Sequence, residues 1–477
     1  MTTFLIIAII LTYISWAGVY KLFEKAGKPG YLALIPVVNF YVWLQLTGKP
    51  LYRIVLLFIP IVNVFTYAYM NVDMARSFGR ESLKDHTMAI LLPFIFFPSL
   101  GFSGDSTTYI GPASELPRPA KSKNREWVEA ISFAVVAATL IRWLLLEAYT
   151  IPTPSMENSL LVGDYLFVSK VHYGARTVKT PVQLPLTHQT IWFTSIPSYL
   201  DWIQIPQKRL PGLSEVKRGD VVVFNYPVEL EHPTDLKTNY IKRCVAQAGD
   251  SVVIRNREVF VNGQPTAFPE GVQFNYFVKF KGNSYSNRKD LLKRFHKFPE
   301  KDFSTTQLYP DGMEISLRPE EAEQIRQLSY IESVTVNDAY MSQVVLYPFS
   351  SRYSDWTQDN YGPLYIPKKG DVIEITRDNL ILYESLIKYY EGNKDVAVSK
   401  NKDQLFIDGQ EVKQYTIKQN YYFMMGDNRH NSADSRYWGL VPEDHVVGKA
   451  VFVWMSIDKY ADLLHKIRWN RLFTVIR

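Results

Sequence analysis

The sequence predicts an α-helical membrane region followed by a mainly β extracytoplasmic domain with an inserted α/β module. Three observations predict it. Apolar runs dominate the first hundred residues, at 4–20, 31–46, 51–70 and 87–100, and another fills 127–149. At ~1.5 Å per residue that last run exceeds the ~30 Å hydrocarbon core of a bilayer. Beyond residue 150 the runs shorten to strand length and become rich in Val, Ile, Tyr and Phe, as in Val221-Val222-Val223-Phe224, with Gly-Asp and Asn-Gly turns between them.

A chain of 477 residues with 47% hydrophobic content exceeds one domain, so two or three units are expected. The boundaries read as a membrane-spanning region at 1–100, a cytoplasmic linker at 101–126 and a transmembrane helix at 127–149. A β domain follows at 150–265 and 366–456, interrupted by the module at 266–365, with an amphipathic tail at 457–477. The net charge of +6 is modest and its basic residues are scattered, which argues against a nucleic-acid surface. The single cysteine, Cys244, excludes an internal disulfide and reads as a small strand residue. Eight histidines without a HExxH pair, and no cysteine cluster, give no metal site, and no cofactor is expected.

Residues 4–20 precede Lys21, Lys25 and Lys28, which places the start outside and the lysines in the cytoplasm. No basic residue precedes this run and no small-residue cleavage site follows it, so it reads as a membrane helix and not a leader. The run at 31–46 holds Pro36 and Asn39 and reads as re-entrant or spanning. Arg76, Arg80 and Lys84 form a basic loop that conflicts with the simplest topology. Either 31–46 stays on one side or 87–100 does. The linker ends in Arg118, Lys121, Lys123 and Arg125, a cytoplasmic flank, so 127–149 runs outward with Arg142 near its outer end, where it can snorkel.

Directly after that run stands Ile151-Pro152-Thr153-Pro154-Ser155-Met156-Glu157-Asn158. Two prolines stop the helix and force extended backbone, presenting Ser155 at a membrane surface. A serine nucleophile needs a base within hydrogen-bond reach. Lys242, in the strand-like Tyr240-Ile241-Lys242-Arg243-Cys244-Val245, is the best candidate, because alternation buries one of two neighbouring cations while the other stays wet. Burial depresses a lysine pKa by up to ~3–5 units. From these residues alone Ser155 also reads as a cap or loop serine, and Lys242-Arg243 as a surface pair. The run Gly426-Asp427-Asn428-Arg429-His430-Asn431-Ser432-Ala433-Asp434-Ser435-Arg436 reads as a structured loop carrying a polar network.

With PTPSMENSL, GDYLFVSK, RGDVVVF, YIKRCVAQAGD and GDNRHNSADSRYWGLVP in this order, the chain resembles the bacterial type I signal peptidases. The motifs cover 150–265 and about 366–456. The resemblance implies a signal-peptidase-like β fold and a serine endopeptidase that removes leader peptides from exported preproteins after small residues. It implies Ser155 as nucleophile and Lys242 as general base, with Ser432 hydrogen-bonding and orienting Lys242. Asp434 and Arg436 would form a supporting ion pair, and the oxyanion hole would combine the Ser155 N–H with the Thr153 hydroxyl, where relatives often carry serine. His430 stands where the family usually has aspartate, which puts a carboxylate role there in doubt. The partners implied are preproteins with signal peptides and the lipid bilayer, for a monomer in the inner cell membrane, multi-pass, with its catalytic domain outside.

The remaining segments leave alternatives open. Residues 191–203 read as a hairpin dipping into the membrane interface or as an internally packed one. Arg218-Gly219-Asp220-Val221-Val222 recurs as Lys369-Gly370-Asp371-Val372-Ile373, and 256–264 recurs as 401–410, from a duplicated β unit or from common strand-turn solutions. The module at 266–365 reads as mostly surface-facing, and 461–473 as an amphipathic basic helix. A catalytically idle scaffold is the alternative function, weakened by the intact Ser155, Lys242 and Ser432 set. Self-cleaving Ser/Lys regulators share the dyad but not the membrane segments, and a triad built on His430 ignores the upstream motifs.

Overall fold

The computed structural model describes residues 2–58, 62–117, 123–184, 187–282, 284–294, 306–337, 345–458, 461–462 and 465–477. Arg118 and Lys121 lie outside the described residues, as does part of the 266–365 module. The chain divides into two units: Met1–Ile141 with Thr180–Ile205, and Arg142–Lys179 with Pro206–Arg477.

The first unit is helical. Thr2–Lys25 is one helix of 24 residues, whereas the other apolar runs are broken. The 31–46 run gives a short turn at Gly30–Leu34 and a helix at Val38–Thr47, parted around Pro36. That ten-residue helix spans only ~15 Å, half of a hydrocarbon core. The 51–70 run gives Arg53–Leu56 and Val62–Ser77, and 87–100 is shared between Leu83–Leu91 and Pro93–Gly101, with Pro93 opening the second helix. Gly18 and Gly101 let the first and last of these helices touch backbone to backbone: a Cβ on Gly18 would stand 2.3 Å from the Phe97 carbonyl carbon. Leu22, Phe23, Trp43, Met70, Met74 and Phe97 form the core. The basic loop read from Arg76 is partly internal. Arg76 is buried with its guanidinium on the Ala113 and Pro117 carbonyls, and Asp73 pairs with Lys49 and Arg53. In residues 191–203, Trp192, Phe193 and Ile196 are exposed, so internal packing is not their arrangement. Bridges join Gln183 to Tyr199 and Thr190 to Pro197.

The helix expected over 127–149 runs from Lys123 to Leu144 and then gives way to a strand, Leu146–Thr150. No glycine or proline separates the two, but Tyr149 and Thr150 favour extended backbone and Asp164–Ser169 offers them an antiparallel partner. The helix Glu126–Leu144 has the length and apolarity to cross a membrane. Arg142 does not end in solvent alone; its Nε lies 2.6 Å from Glu147 Oε1.

The second unit is built on an antiparallel sheet. Its order is Leu146–Thr150, Asp164–Ser169, Val446–Ser456, Val221–Asn225, Asn239–Ala246, Tyr421–Met425 and Val441–Pro442, with Thr474–Val475 also pairing Val446–Ser456. Val221–Asn225 and Tyr421–Met425 are buried throughout, as strands covered on both faces must be. A second sheet joins Ser251–Arg255, Glu258–Val261, Gln264–Pro265 and Tyr361–Tyr365. Its Asn262-Gly263 turn has both φ positive, as does Asp408-Gly409 in the Leu405–Ile407/Gln410–Val412 hairpin, the type expected from the sequence.

The internal repeat resolves into a shared turn. Lys217 N and Lys368 N each donate, at 2.9 Å, to the aspartate three residues on, past a glycine of positive φ. Leu161 N with Asp164 and Gln247 N with Asp250 do the same outside the repeated stretches. A turn used four times, twice outside the repeated stretches, means that local turn chemistry by itself accounts for the match of 218–222 with 369–373.

Residues 266–365 are not merely surface-facing. Strands Phe274–Phe280, Thr306–Leu308, Gly312–Leu317 and Ile331–Val336 form an antiparallel sheet, and Val278, Met313, Ile315, Leu317 and Ile325 share a core of their own. The tail at 465–477 is not a helix either. It holds a short turn, Trp469–Arg471, then the Thr474–Val475 strand. Its cations find fixed partners: Arg471 chelates buried Asp164, and Arg468 donates to the Val162 carbonyl.

Candidate active site

Pro152 and Pro154 neither stop the helix, which already ends at Leu144, nor hold Ser155 on an extended arm. Thr153 is extended, and Pro154–Met156 forms a single helical turn in which Ser155 is 9% exposed. Its N–H, in the first turn of a helix, has no acceptor within that turn. Thr153 is exposed, and its hydroxyl caps nothing.

Lys242 comes from Asn239–Ala246, opposite Val222 of the neighbouring strand. It is 3% exposed, and its Nζ lies 2.6 Å from Ser155 Oγ, although 87 positions separate them in the chain. Burial pushes the amine from 10.5 down to about 8, against the opposing pull of Asp434 and Asp427. An amine near 8 is substantially neutral at mildly alkaline pH and can accept a hydroxyl proton.

The next residue corrects the sequence reading. Arg243 is not on a wet face; it is 5% exposed. Its Nε and Nη2 bond Asp427 Oδ1 and Oδ2 at 2.8 and 2.6 Å, and its Nη1 donates to the Gly219 and Arg477 carbonyls. Alternation put the two cations on opposite faces, but both faces are covered. A buried guanidinium is tolerated because a bidentate carboxylate and two carbonyls satisfy it.

The loop from Gly426 surrounds this pair. Asp434 and Arg436 are fully buried and bidentate, with 2.9 and 2.8 Å contacts, and Asp434 also accepts from the Gly426 N–H. Burial alone would raise the Asp434 carboxyl, but the Arg436 charge and these hydrogen bonds hold it below the usual carboxylate range. Ser432 does not bond Lys242 as the resemblance implied. Its hydroxyl is buried without a hydrogen-bond partner, packed over Gly426. A Cβ on Gly426 would lie 2.2 Å from Ser432 Oγ and 2.5 Å from the Ser155 carbonyl oxygen, so only glycine lets the two serines approach this closely. His430 is turned elsewhere: Nδ1 accepts from Asn275 N and Nε2 lies 2.9 Å from Asp359 Oδ1. Both ring nitrogens are engaged, which leaves neither for a triad with Ser432 or Ser435. Among the described residues no group of His, Cys, Asp and Glu has the arrangement of a metal site.

Sequence reasoning missed Asn428 and Gln273. Asn428 N and Nδ2 donate to the Ser155 and Pro154 carbonyls, both at 3.1 Å. Gln273 touches both sides of the site and lies outside every motif, so no local signal marks it.

The buried contact between Ser155 and Lys242 is an arrangement that suits a serine peptidase. Comparison with known proteins agrees. The family described as signal peptidase, peptidase S26, matches residues 124–312 and 366–455, more than half of the chain. Signal peptidase I of Buchnera aphidicola subsp. Acyrthosiphon pisum is 27% identical over 348 residues, 71% of this chain and 79% of that protein. Signal peptidase I of Haemophilus influenzae is 23% identical, covering 75% and 77%, and that of Aquifex aeolicus 24%, covering 70% and 84%. The chain belongs to the signal peptidase family, and its activity is the cleavage of signal peptides. The family match reaches residue 312, so the first half of the 266–365 stretch falls within it and 313–365 does not. A family of unknown function, DUF5684, matches residues 31–112.

Proposed function

We propose that Ser155 is the nucleophile and Lys242 the general base of a membrane-anchored endopeptidase that frees exported preproteins from their leaders. The observation that carries this reading is the buried 2.6 Å contact between a serine hydroxyl and an amine held near pKa 8. Lys242 Nζ takes the Ser155 proton as Oγ attacks the scissile carbonyl carbon, and the ammonium then protonates the departing amine as the C–N bond breaks. Water, deprotonated by the same amine, hydrolyses the ester and releases the leader with a free carboxylate. The Ser155 N–H and the exposed Thr153 hydroxyl receive the negative oxygen of each tetrahedral intermediate. Rotation of Ser432 about χ1 gives its unpaired hydroxyl to the ammonium, and the Asp434–Arg436 pair braces the loop that carries it.

The same reading makes Glu126–Leu144 the span that sets Ser155 at the outer face, with Lys123 and Arg125 on the cytoplasmic side. The helix Thr2–Lys25, about 36 Å long by its rise, makes the protein multi-pass. Exposed Trp192 and Phe193 suit the lipid interface. The α/β module is an insertion in the catalytic β domain, and the enzyme acts as a monomer on preproteins with small residues at the first and third positions before the cut. The test is cleavage of a preprotein by the purified enzyme, Ser155→Ala and Lys242→Ala, with sequencing of the mature product. Near-normal turnover by either variant would sink the assignment.

A further inference from the structure

Gln273 is fully buried and uses every hydrogen-bonding group it has that can reach the site. Its Oε1 accepts from Asn158 Nδ2 at 2.8 Å, and its Nε2 donates to Glu157 Oε2 at 3.0 Å. Its own N–H donates to the Asp427 carbonyl, and its carbonyl accepts from Arg429 N–H, each at 2.9 Å. The two main-chain bonds flank Asn428, whose N–H and amide hold the carbonyls of Ser155 and Pro154. One side chain therefore fastens the two residues that follow Met156, while its backbone fastens the residue that grips the serine itself. Two positions back, Gly271 closes the same contact, since a Cβ there would stand 2.1 Å from Ser159 Oγ. Two positions on, Asn275 N donates to His430 and its side-chain oxygen accepts from Ser316, anchoring the segment in the 274–336 sheet.

We infer that Gln273 is a positioning residue for signal-peptide cleavage, through which the 274–336 sheet fixes the backbone that aims Ser155 Oγ. This rests on Ser155 being the nucleophile. Gln273 touches neither Ser155 Oγ nor Lys242, so its loss moves the serine without altering the base. A displacement of about 1 Å from attack geometry costs on the order of 10²-fold in rate.

The experiment compares the full-length enzyme with Gln273→Ala, Gln273→Glu and the double variant Gln273→Glu/Glu157→Gln on a preprotein substrate, with Ser155→Ala alongside. Gln273→Glu sets a carboxylate against Glu157 and removes the donor; Glu157→Gln restores a donor–acceptor pair with its direction reversed. Expected are a ~10–100-fold fall in kcat for both single variants with KM nearly unchanged, an unmoved pH midpoint, and recovery of most of kcat in the double variant. A Gln273→Ala enzyme within twofold of wild type overturns the inference. So does a double variant no better than Gln273→Glu, which decides the matter even where Gln273→Ala fails to fold. A loss appearing in KM, or a pH midpoint displaced by a unit, overturns it too. Substantial activity in Ser155→Ala refutes the nucleophile assignment instead.

Discussion

The pH dependence of cleavage is the sharpest consequence of the buried amine. Moving Lys242 from 10.5 to about 8 raises its neutral fraction at pH 8 by ~150-fold, from ~0.3% to ~50%. Specific activity, measured as kcat/KM on a preprotein from pH 6 to 10, is expected to rise with a midpoint near 8 and then level. The same burial has a cost in stability. Between pH 8 and 10.5 the unfolded chain holds a proton on this lysine that the folded chain has shed, so stability rises with pH through that window. Below 8 the penalty is complete, ~3 kcal/mol at 1.36 kcal/mol per unit. Lys242→Met removes it, so this variant should be inactive yet melt higher than wild type at pH 6, with the gain fading toward pH 10.5. Lys242→Arg should be inactive at every pH, because guanidinium does not release its proton. A midpoint near 10 would refute the desolvation argument. A limb near 6.5 that vanishes in His430→Gln would place the base on histidine.

Ser155→Ala should lower cleavage by more than ~10³-fold, while a chelator in the same assay leaves the wild-type rate intact. Asp427→Ala leaves Arg243 buried without its carboxylate and should cost ~3–5 kcal/mol in a denaturant titration; a loss under 1 kcal/mol would contradict the described pairing. Gly18→Leu drives a side chain into the Phe97 backbone and should lower the melting temperature of the detergent-solubilised protein without changing the pH midpoint. Preproteins with leucine or phenylalanine at the first position before the cut should be poor substrates, since a small pocket has no space for them; efficient cleavage, read by product sequencing, would refute the pocket.

What the sequence determined by itself is local or carried by motif. Asn-Gly and Asp-Gly dictate hairpin turns, and the apolar run before Leu144 dictates a helix, whereas the extended arm read from the two prolines around Thr153 is a helical turn at Ser155. The order of the five motifs carried Ser155 to Lys242 across 87 positions, which no periodicity could have done. What only the tertiary structure decided is how many faces are covered. Strand alternation separates Lys242 from Arg243 but is silent on whether a partner such as Asp427, 184 positions away, waits on the second face. The helix end at Leu144 escaped for a related reason: no glycine or proline stands between Leu144 and Pro152, and only pairing with Asp164–Ser169 makes Leu146–Thr150 a strand. Arg468 and Arg471 lend the tail an amphipathic helical look, yet Asp164 and the Val162 carbonyl draw it out along the sheet. Gln273 has no neighbours in sequence that hint at its role, because its four partners come from two loops that meet only when the chain is folded.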